Sequence, residues 1–482
     1  MIHTFTFPNG FRLIHETPHS SLNITAIQVF CKVGSIDEDE HTRGFSHFIE
    51  HMCFKGTKTR PLSKDILKTY DEIGAYFNAT TDKTYTNYVV KCQDSYVKDC
   101  IMVLSDMLLN SVFDKTEYEK EKKVVIEESF RSENDGESII SDMVDKKMYT
   151  GTPYENPIDT LAYHRDNSLQ YTPVIEYYKK YYRPENMVIS IISHVPMSTF
   201  IKILEKSYFT KPFLSSPEKS HAPLSKLQTT ASHIMPRATS SIEQCPIFFL
   251  KKRQELKTIQ LAVGFRTCSQ YSTDKYTLNL LKNALGGYMM SKLFIALREE
   301  NGLTYTSSVY TKYFDILGDF TIFTETSPEK IMVNTTTTPK SSKNANEKQH
   351  SKDRSKSSTH LNDKGVFPVI IDLIHELQTK GITLHELQTA KKNLKGSIAL
   401  EEEDSDTACF LNGSRILLYD TPNDPIVSYS DYYDRYYKRL TVKDVNDVIK
   451  KYIKLSNMVV CMLGPQLPKL EEVTSIVKES IK

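Results

Sequence analysis

The chain has 482 residues, of which 39% are hydrophobic and 25% charged. These values exclude a disordered, collagenous or membrane-bundle chain and leave room for roughly two to four domains. The 61 Lys and Arg balance 60 Asp and Glu, so a net charge of +1 gives no electrostatic footprint for nucleic acid or an anionic membrane.

The first residues run directly into Pro8-Asn9-Gly10, which reads as a strand and a turn rather than a signal or transit peptide. No apolar run is long enough to span a bilayer, and the eight Cys form no CxxC pair. The expected setting is therefore intracellular, soluble and reducing, cytoplasmic by default. Further along, 23–32 reads as a strand, 44–54 and 61–73 as helices and 85–91 as a strand. Helices are expected over 97–110 and 115–131. Residues 211–241, rich in Ser, Thr, Pro, Lys and His, read as a linker. Residues 335–364 hold four consecutive Thr and then mostly Ser, Lys, Asn and His, the composition of a disordered surface insertion.

The two halves carry matching fragments. Lys179-Lys180-Tyr181 and Asn186-Met187-Val188 recur as Lys450-Lys451-Tyr452 and Asn457-Met458-Val459, both at an offset of 271. Ile27-Gln28 resembles Ile259-Gln260 at an offset of 232. The difference, 271 − 232 = 39, is mostly accounted for by the 30 residues of 335–364, and a duplication follows.

The sharpest local feature is His47-Phe48-Ile49-Glu50-His51. On a helix, His47 and His51 project from one face, and Glu50 flanks it. Two neutral imidazoles on adjacent turns suit zinc, and a neighbouring carboxylate can take a proton from water. A chain of this length holds about 0.03 such patterns by chance, so the motif needs a chemical explanation. A catalytic zinc requires a third protein ligand. The helix expected over 115–131 offers Glu117, Glu119, Glu121, Glu127 and Glu128, of which Glu121 and Glu128 share a face at a spacing of seven. An ordinary solvated acidic helix would look the same. Cys53, two residues past His51, reads as core, and the Tyr-rich runs at 177–182 and 432–437 read as packing.

The motif, set between Gly44-Phe45-Ser46 and Phe54-Lys55-Gly56-Thr57, resembles the inverted zinc motif of the pitrilysin/insulinase family, in its processing-peptidase-like two-domain branch. Phe7-Pro8-Asn9-Gly10, Val33-Gly34-Ser35 and Phe77-Asn78-Ala79-Thr80 extend the match. The resemblance implies His47, His51 and Glu128 as ligands of one Zn²⁺ per chain, Glu50 as general base and Glu121 as a carboxylate orienting the site. It implies substrate backbone binding at Asn78 and Ala79 by β-augmentation. In the second half, Leu285-Gly286-Gly287 and the stretch from Leu297-Arg298-Glu299 to Leu303-Thr304-Tyr305 match a further family signature. By resemblance, Arg298 contacts substrate backbone and Tyr305 donates to the oxyanion. The competing reading has Arg298 closing a helix and Tyr305 packing in a strand.

The implied fold is α+β, with two homologous domains that each have a mostly antiparallel sheet and helices on one face. Residues 1–210 would be the zinc-binding domain, and 242–482 a homologous domain without zinc. The implied activity is that of a zinc metalloendopeptidase acting on peptides or unfolded, presequence-like segments in an enclosed chamber. Two domains are half of what such a chamber needs, so a homodimer, or a heterodimer with a homologous subunit, is expected. In it, Arg298 and Tyr305 of one chain would serve the zinc of the other. A catalytically silent, core-protein-like subunit is the alternative. Nucleic acid and membrane are not expected as partners.

Overall fold

The computed structural model describes residues 2–18, 20–159, 169–211, 246–332, 364–419 and 427–481. The linker 211–241 and the insertion 335–364 lie outside the described residues, apart from their ends Lys211 and Lys364. By contact, the chain forms two compact units. The first comprises Met1–Glu243 and Leu394–Arg439, the second Gln244–Asn393 and Leu440–Lys482.

The first unit contains strands β1 (Ile2–Thr6), β2 (Arg12–Glu16), β3 (Ile24–Cys31), β4 (Tyr76–Thr81), β5 (Thr86–Gln93) and β6 (Met187–Ile192). They form one sheet in the order β1-β2-β6-β3-β5-β4. Only β2 and β6 pair in parallel. Its helices are α1 (Phe45–Met52), α2 (Ser63–Glu72), α3 (Val97–Leu109), α4 (Lys115–Ser132), α5 (Gly136–Met148), α6 (Tyr171–Tyr181) and α7 (Met197–Leu204). Ile27, Val29 and Cys31 of β3 point to one face, where they join Phe45, Phe48, Ile49 and Met52 of α1 and Val103, Leu104 and Met107 of α3 in the main core. Alternation sends Ala26 and Phe30 to the other face.

That second face is covered by a helix from far along the chain. Among the described residues the later helices of eight residues or more are α8 (Asp274–Gly286), α9 (Val366–Lys380), α10 (Leu384–Glu402), α11 (Ser405–Tyr419), α12 (Tyr429–Tyr436), α13 (Val442–Tyr452) and α14 (Leu470–Ile481). In α11, Ile416 and Leu417 pack on Ile14, Phe30 and Val188, while Ala408 and Cys409 pack on Ala26 and Ile192. A Cβ at Gly413 would collide with the Phe30 ring, so glycine lets the helix lie against the sheet. Asn412 Nδ2 donates to Glu16 Oε2 at 2.7 Å, and Gln28 Nε2 donates to the Asp406 carbonyl at 2.9 Å. The compact units therefore interleave along the chain, whereas composition suggested one break at 211–241. A strand buried on both faces, as β3 is, needs a second covering layer.

The second unit repeats the first. Its strands β7 (Ile247–Lys252), β8 (Ile259–Thr267), β9 (Ser307–Tyr313), β10 (Gly318–Thr326) and β11 (Met458–Gly464) are ordered β7-β11-β8-β10-β9. This is the first sheet without its outermost strand, and again only one pair, β7 and β11, is parallel. The repeated Asn does the same work twice. Asn186 Nδ2 donates to the carbonyls of Lys32 and Tyr181 (3.1 and 2.9 Å), and Asn457 Nδ2 to those of Arg266 and Tyr452 (2.8 and 3.2 Å). One expectation needs correction. Met187 pairs with Cys31 and Met458 with Phe265, so the strand offset is 265 − 31 = 234, not 232. A slip of two residues preserves the face of every side chain, so the sequence match could not detect it.

Among the described residues no helix is long and apolar enough to cross a membrane, and Cys31, Cys53, Cys92, Cys100, Cys268, Cys409 and Cys461 are buried free thiols.

Candidate metal and catalytic site

Helix α1 begins at Gly44, whose φ of 80° lies in the left-handed region that glycine adopts freely. Its first N–H groups are met by a buried carboxylate: Glu38 accepts from Gly44 N at 2.7 Å and Ser46 N at 2.8 Å. Negative charge at a helix N-terminus is favourable, so Glu38 anchors the start of the motif helix. Burial nonetheless pushes its pKa up to about 7, against the lowering effect of those two bonds. With Phe45, Phe48, Ile49 and Met52 committed to the core, His47 and His51 face the opposite side together with Glu50.

Helix α4 supplies the facing carboxylates. Asp114 caps it through Thr116 N and Glu117 N at 2.9 and 3.1 Å. Its buried positions, Tyr118, Glu121, Val125 and Ser129, form the stripe that docks on the core. Glu121 is drawn inside with that stripe and Glu128 stands beside it, half-exposed, while Glu119 and Glu127 point to solvent.

The geometry brings His47, His51 and Glu128 together. The two Nε2 atoms are 3.2 Å apart, and Glu128 Oε2 lies 3.3 Å from His51 Nε2 and 3.8 Å from His47 Nε2. Three donors around a tetrahedral zinc at ~2.0–2.1 Å would be separated by roughly 3.3 Å, so this donor set fits the ion. It is the only such group of His, Cys, Asp and Glu among the described residues. Three protein donors leave a fourth position for water or substrate, the arrangement of a catalytic rather than a structural zinc. His51 Nδ1 donates to Glu121 Oε1 at 2.8 Å, which leaves the Nε2 lone pair for a metal.

The electrostatics follow from these contacts. Burial, helped by the charge of His51, lowers the pKa of His47, which favours the neutral imidazole that a metal requires. Burial also acts to lower His51, but the bond to Glu121 and the nearby carboxylates outweigh it and raise the pKa. Burial acts to raise Glu121, but the bonds from His51 and Lys55 prevail, so its carboxyl lies below the usual range. Glu50 is 9% exposed, and burial raises its pKa, opposed by Thr81. Cys53, the core residue expected, is buried, and burial pushes its thiol up to about 12.

Two contacts at this site were missed from the sequence. Thr81 Oγ1 donates to Glu50 Oε2 at 2.6 Å, and Lys55 Nζ lies 2.6 Å from Glu121 Oε2. Lys55 sits in a fragment that carried the resemblance, and Thr81 follows one directly, yet spacing along the chain does not report that either side chain reaches a carboxylate.

Asn78 and Ala79 lie on β4, which ends the sheet and pairs only with β5 among the described residues. The Ala79 amide donates to Asn78 Oδ1 at 2.9 Å. Arg298 and Tyr305 belong to the second unit. There the Arg298 guanidinium lies 5.0 Å from the ring centroids of both Phe294 and Tyr305, and Tyr305 is 80% exposed. Tyr305 precedes β9 and is not packed within it.

Comparison with known proteins gives the family. Residues 16–160 match the family described as Insulinase (Peptidase family M16), and residues 168–338 match the Peptidase M16 inactive domain. The chain is 31% identical over 425 residues to an uncharacterised zinc protease of Bacillus subtilis, covering 87% of this chain and 88% of the relative. It is 30% identical over 331 residues to an uncharacterised zinc protease of Rickettsia bellii, covering 67% of this chain and 73% of that one. Among solved structures, a protease from Helicobacter pylori superposes with a TM-score of 0.78 at 18% identity, covering 96% of this chain and 99% of that one. The periplasmic protease PqqL of Escherichia coli superposes with a TM-score of 0.72 at 15% identity, where this chain matches 50% of the other. With a sheet repeated in two units, an inverted His-x-x-Glu-His helix and these relatives, the chain belongs to the insulinase family of zinc proteases, peptidase family M16.

Proposed function

We propose that the chain is an active zinc endopeptidase that hydrolyses peptides or unfolded segments. The observation that carries this reading is the convergence of His47, His51 and Glu128 with Glu50 on the same helix. His47, His51 and Glu128 would hold one zinc ion, with Glu121 orienting His51. Bound zinc would supply Lewis-acid polarisation of the scissile carbonyl and acidify the attacking water.

The remaining work falls to side chains of this protein. Glu50, buried and held by Thr81, takes the proton from the attacking water and returns it to the leaving amine. The outer edge of β4 at Asn78 and Ala79 accepts the substrate as an added strand, which aligns its backbone. Arg298 and the exposed Tyr305 are assigned to substrate backbone and oxyanion contacts. An enclosed chamber assembled from two chains is part of the same proposal.

The test is Glu50→Gln. The variant should bind zinc as the parent does and lose about 10²–10⁴-fold in chelator-sensitive peptidase activity. A Glu50→Gln protein with full zinc-dependent activity sinks this reading.

A further inference from the structure

We infer that Lys55 is a positioning residue for the metal centre, acting through Glu121 on His51. The inference rests on the zinc reading above and extends it to a side chain with no ligand role of its own.

The contacts form a chain. Lys55 Nζ is 2.6 Å from Glu121 Oε2, and Glu121 Oε1 is 2.8 Å from His51 Nδ1. The Glu121 side chain is 6% exposed and that of Lys55 24%, so little water competes for the carboxylate. Each Glu121 oxygen thus has one committed partner. A carboxylate bound on one side only can rotate about its last torsion, which is broad and roughly two-fold. Lys55 removes that freedom. The Nδ1 proton then stays between His51 and Glu121, and Nε2 keeps its lone pair toward His47 and Glu128.

The backbone around Lys55 is held independently. Gly56 adopts a φ of 134°, and a Cβ there would run into the Pro61 carbonyl. One residue on, Thr57 Oγ1 donates to the fully buried Asp106 at 2.6 Å, and Arg60 pairs with the same carboxylate at 2.7 Å. Thr59 also donates to Asp106, and Asn110 Nδ2 donates to its other oxygen at 2.9 Å. The ammonium therefore projects from a braced turn rather than a free surface, which a charge used only for solubility would not require. Partners of metal-ligating histidines typically carry 10–100-fold in metal affinity. Lys55 acts one bond further out, so the lower end of that range is expected.

The experiment is a double-mutant cycle in zinc affinity, measured by competition with a chromophoric chelator on the full chain. Lys55→Met keeps the length and removes the charge. It should weaken zinc binding about tenfold, and Lys55→Arg should restore it to within about threefold. In a Glu121→Ala background, Lys55→Met should add no further loss, because its route to His51 is already cut. Circular dichroism of each variant in excess chelator checks folding without metal. If Lys55→Met is misfolded, Lys55→Gln takes its place in the cycle. An equal loss in both backgrounds, or unchanged affinity of a folded Lys55 variant, overturns the inference. Failure of the parent chain to bind zinc would instead remove the metal reading itself, and the inference with it.

Discussion

Thr81 and Glu50 meet through a 2.6 Å hydrogen bond that ties the end of edge strand β4 to the motif helix α1. The strand proposed to receive substrate therefore also holds the proposed base. Thr81 opposes the burial of Glu50, so the ionised carboxylate loses a stabilising donor when the hydroxyl is removed. Thr81→Val should raise the pKa of Glu50 further. Because the base must be ionised to accept a proton, the acidic limb of the pH–rate profile moves to higher pH. A charge-assisted bond worth about 1.5–3 kcal/mol corresponds to a loss of roughly ten- to hundredfold in kcat/KM at the acidic end. Thr81→Ser should recover most of it. A Thr81→Val profile that superposes on the parent's rejects the link.

Glu38 makes stability depend on pH in a defined direction. Its folded pKa is raised, to about 7 from an ordinary 4.5. A raised carboxyl contributes stability that is full below pH 4.5 and lost as pH climbs through 7. At about 1.36 kcal/mol per pH unit, the difference across that window is roughly 3 kcal/mol. Glu38→Gln cannot titrate. The urea midpoints of metal-free parent and variant should therefore change relative to each other between pH 4.5 and 7.5, with the parent gaining on the acid side. Parallel curves would show that Glu38 does not titrate in this range.

Gly413 allows α11 to lie on the Phe30 ring and Ser190. Gly413→Ala gains helix propensity but inserts a methyl group where there is no room. The overpacking cost of about 1–3 kcal/mol exceeds the propensity gain of about 1 kcal/mol. The melting temperature should fall, and Gly413→Leu should fall further. A more stable Gly413→Ala protein would mean that the helix sits farther from the sheet.

The proposed sharing of Arg298 and Tyr305 between chains has a direct genetic test. Glu50→Gln and Arg298→Ala chains, each nearly inactive alone, should regain activity when unfolded together and refolded, because some mixed pairs contain one intact site. No gain over either parent variant, or a fully active monomer in sedimentation, excludes a shared site.

The sequence made the local part of this site legible and hid the rest. His47 and His51 could be placed on one helix face because four residues make about one turn, and that face depends only on neighbours in the chain. Glu121 and Glu128 could be paired with each other by the same geometry, but not chosen from five glutamates without the family resemblance. Which of them enters the core is decided by the docking of Tyr118, Val125 and Ser129. Thr81 and Lys55 were illegible because each meets its carboxylate through tertiary packing, 31 and 66 residues away. The β3 and β8 match was mis-set by two residues for the opposite reason: period-two patterning is blind to even slips. Nothing in 405–419 announces that this helix belongs with a sheet some 200 to 400 residues earlier.

That helix has a consequence for biogenesis. When residues 1–243 leave the ribosome, Ile14, Ala26, Phe30, Val188 and Ile192 present an uncovered apolar sheet face. It stays uncovered until residue 419 has been made, roughly 9–35 s later at 5–20 residues per second. Over that interval the uncovered face is exposed apolar surface of the kind that promotes aggregation. The N-terminal half, although it carries every proposed zinc ligand, cannot be expected to survive as a separate fragment.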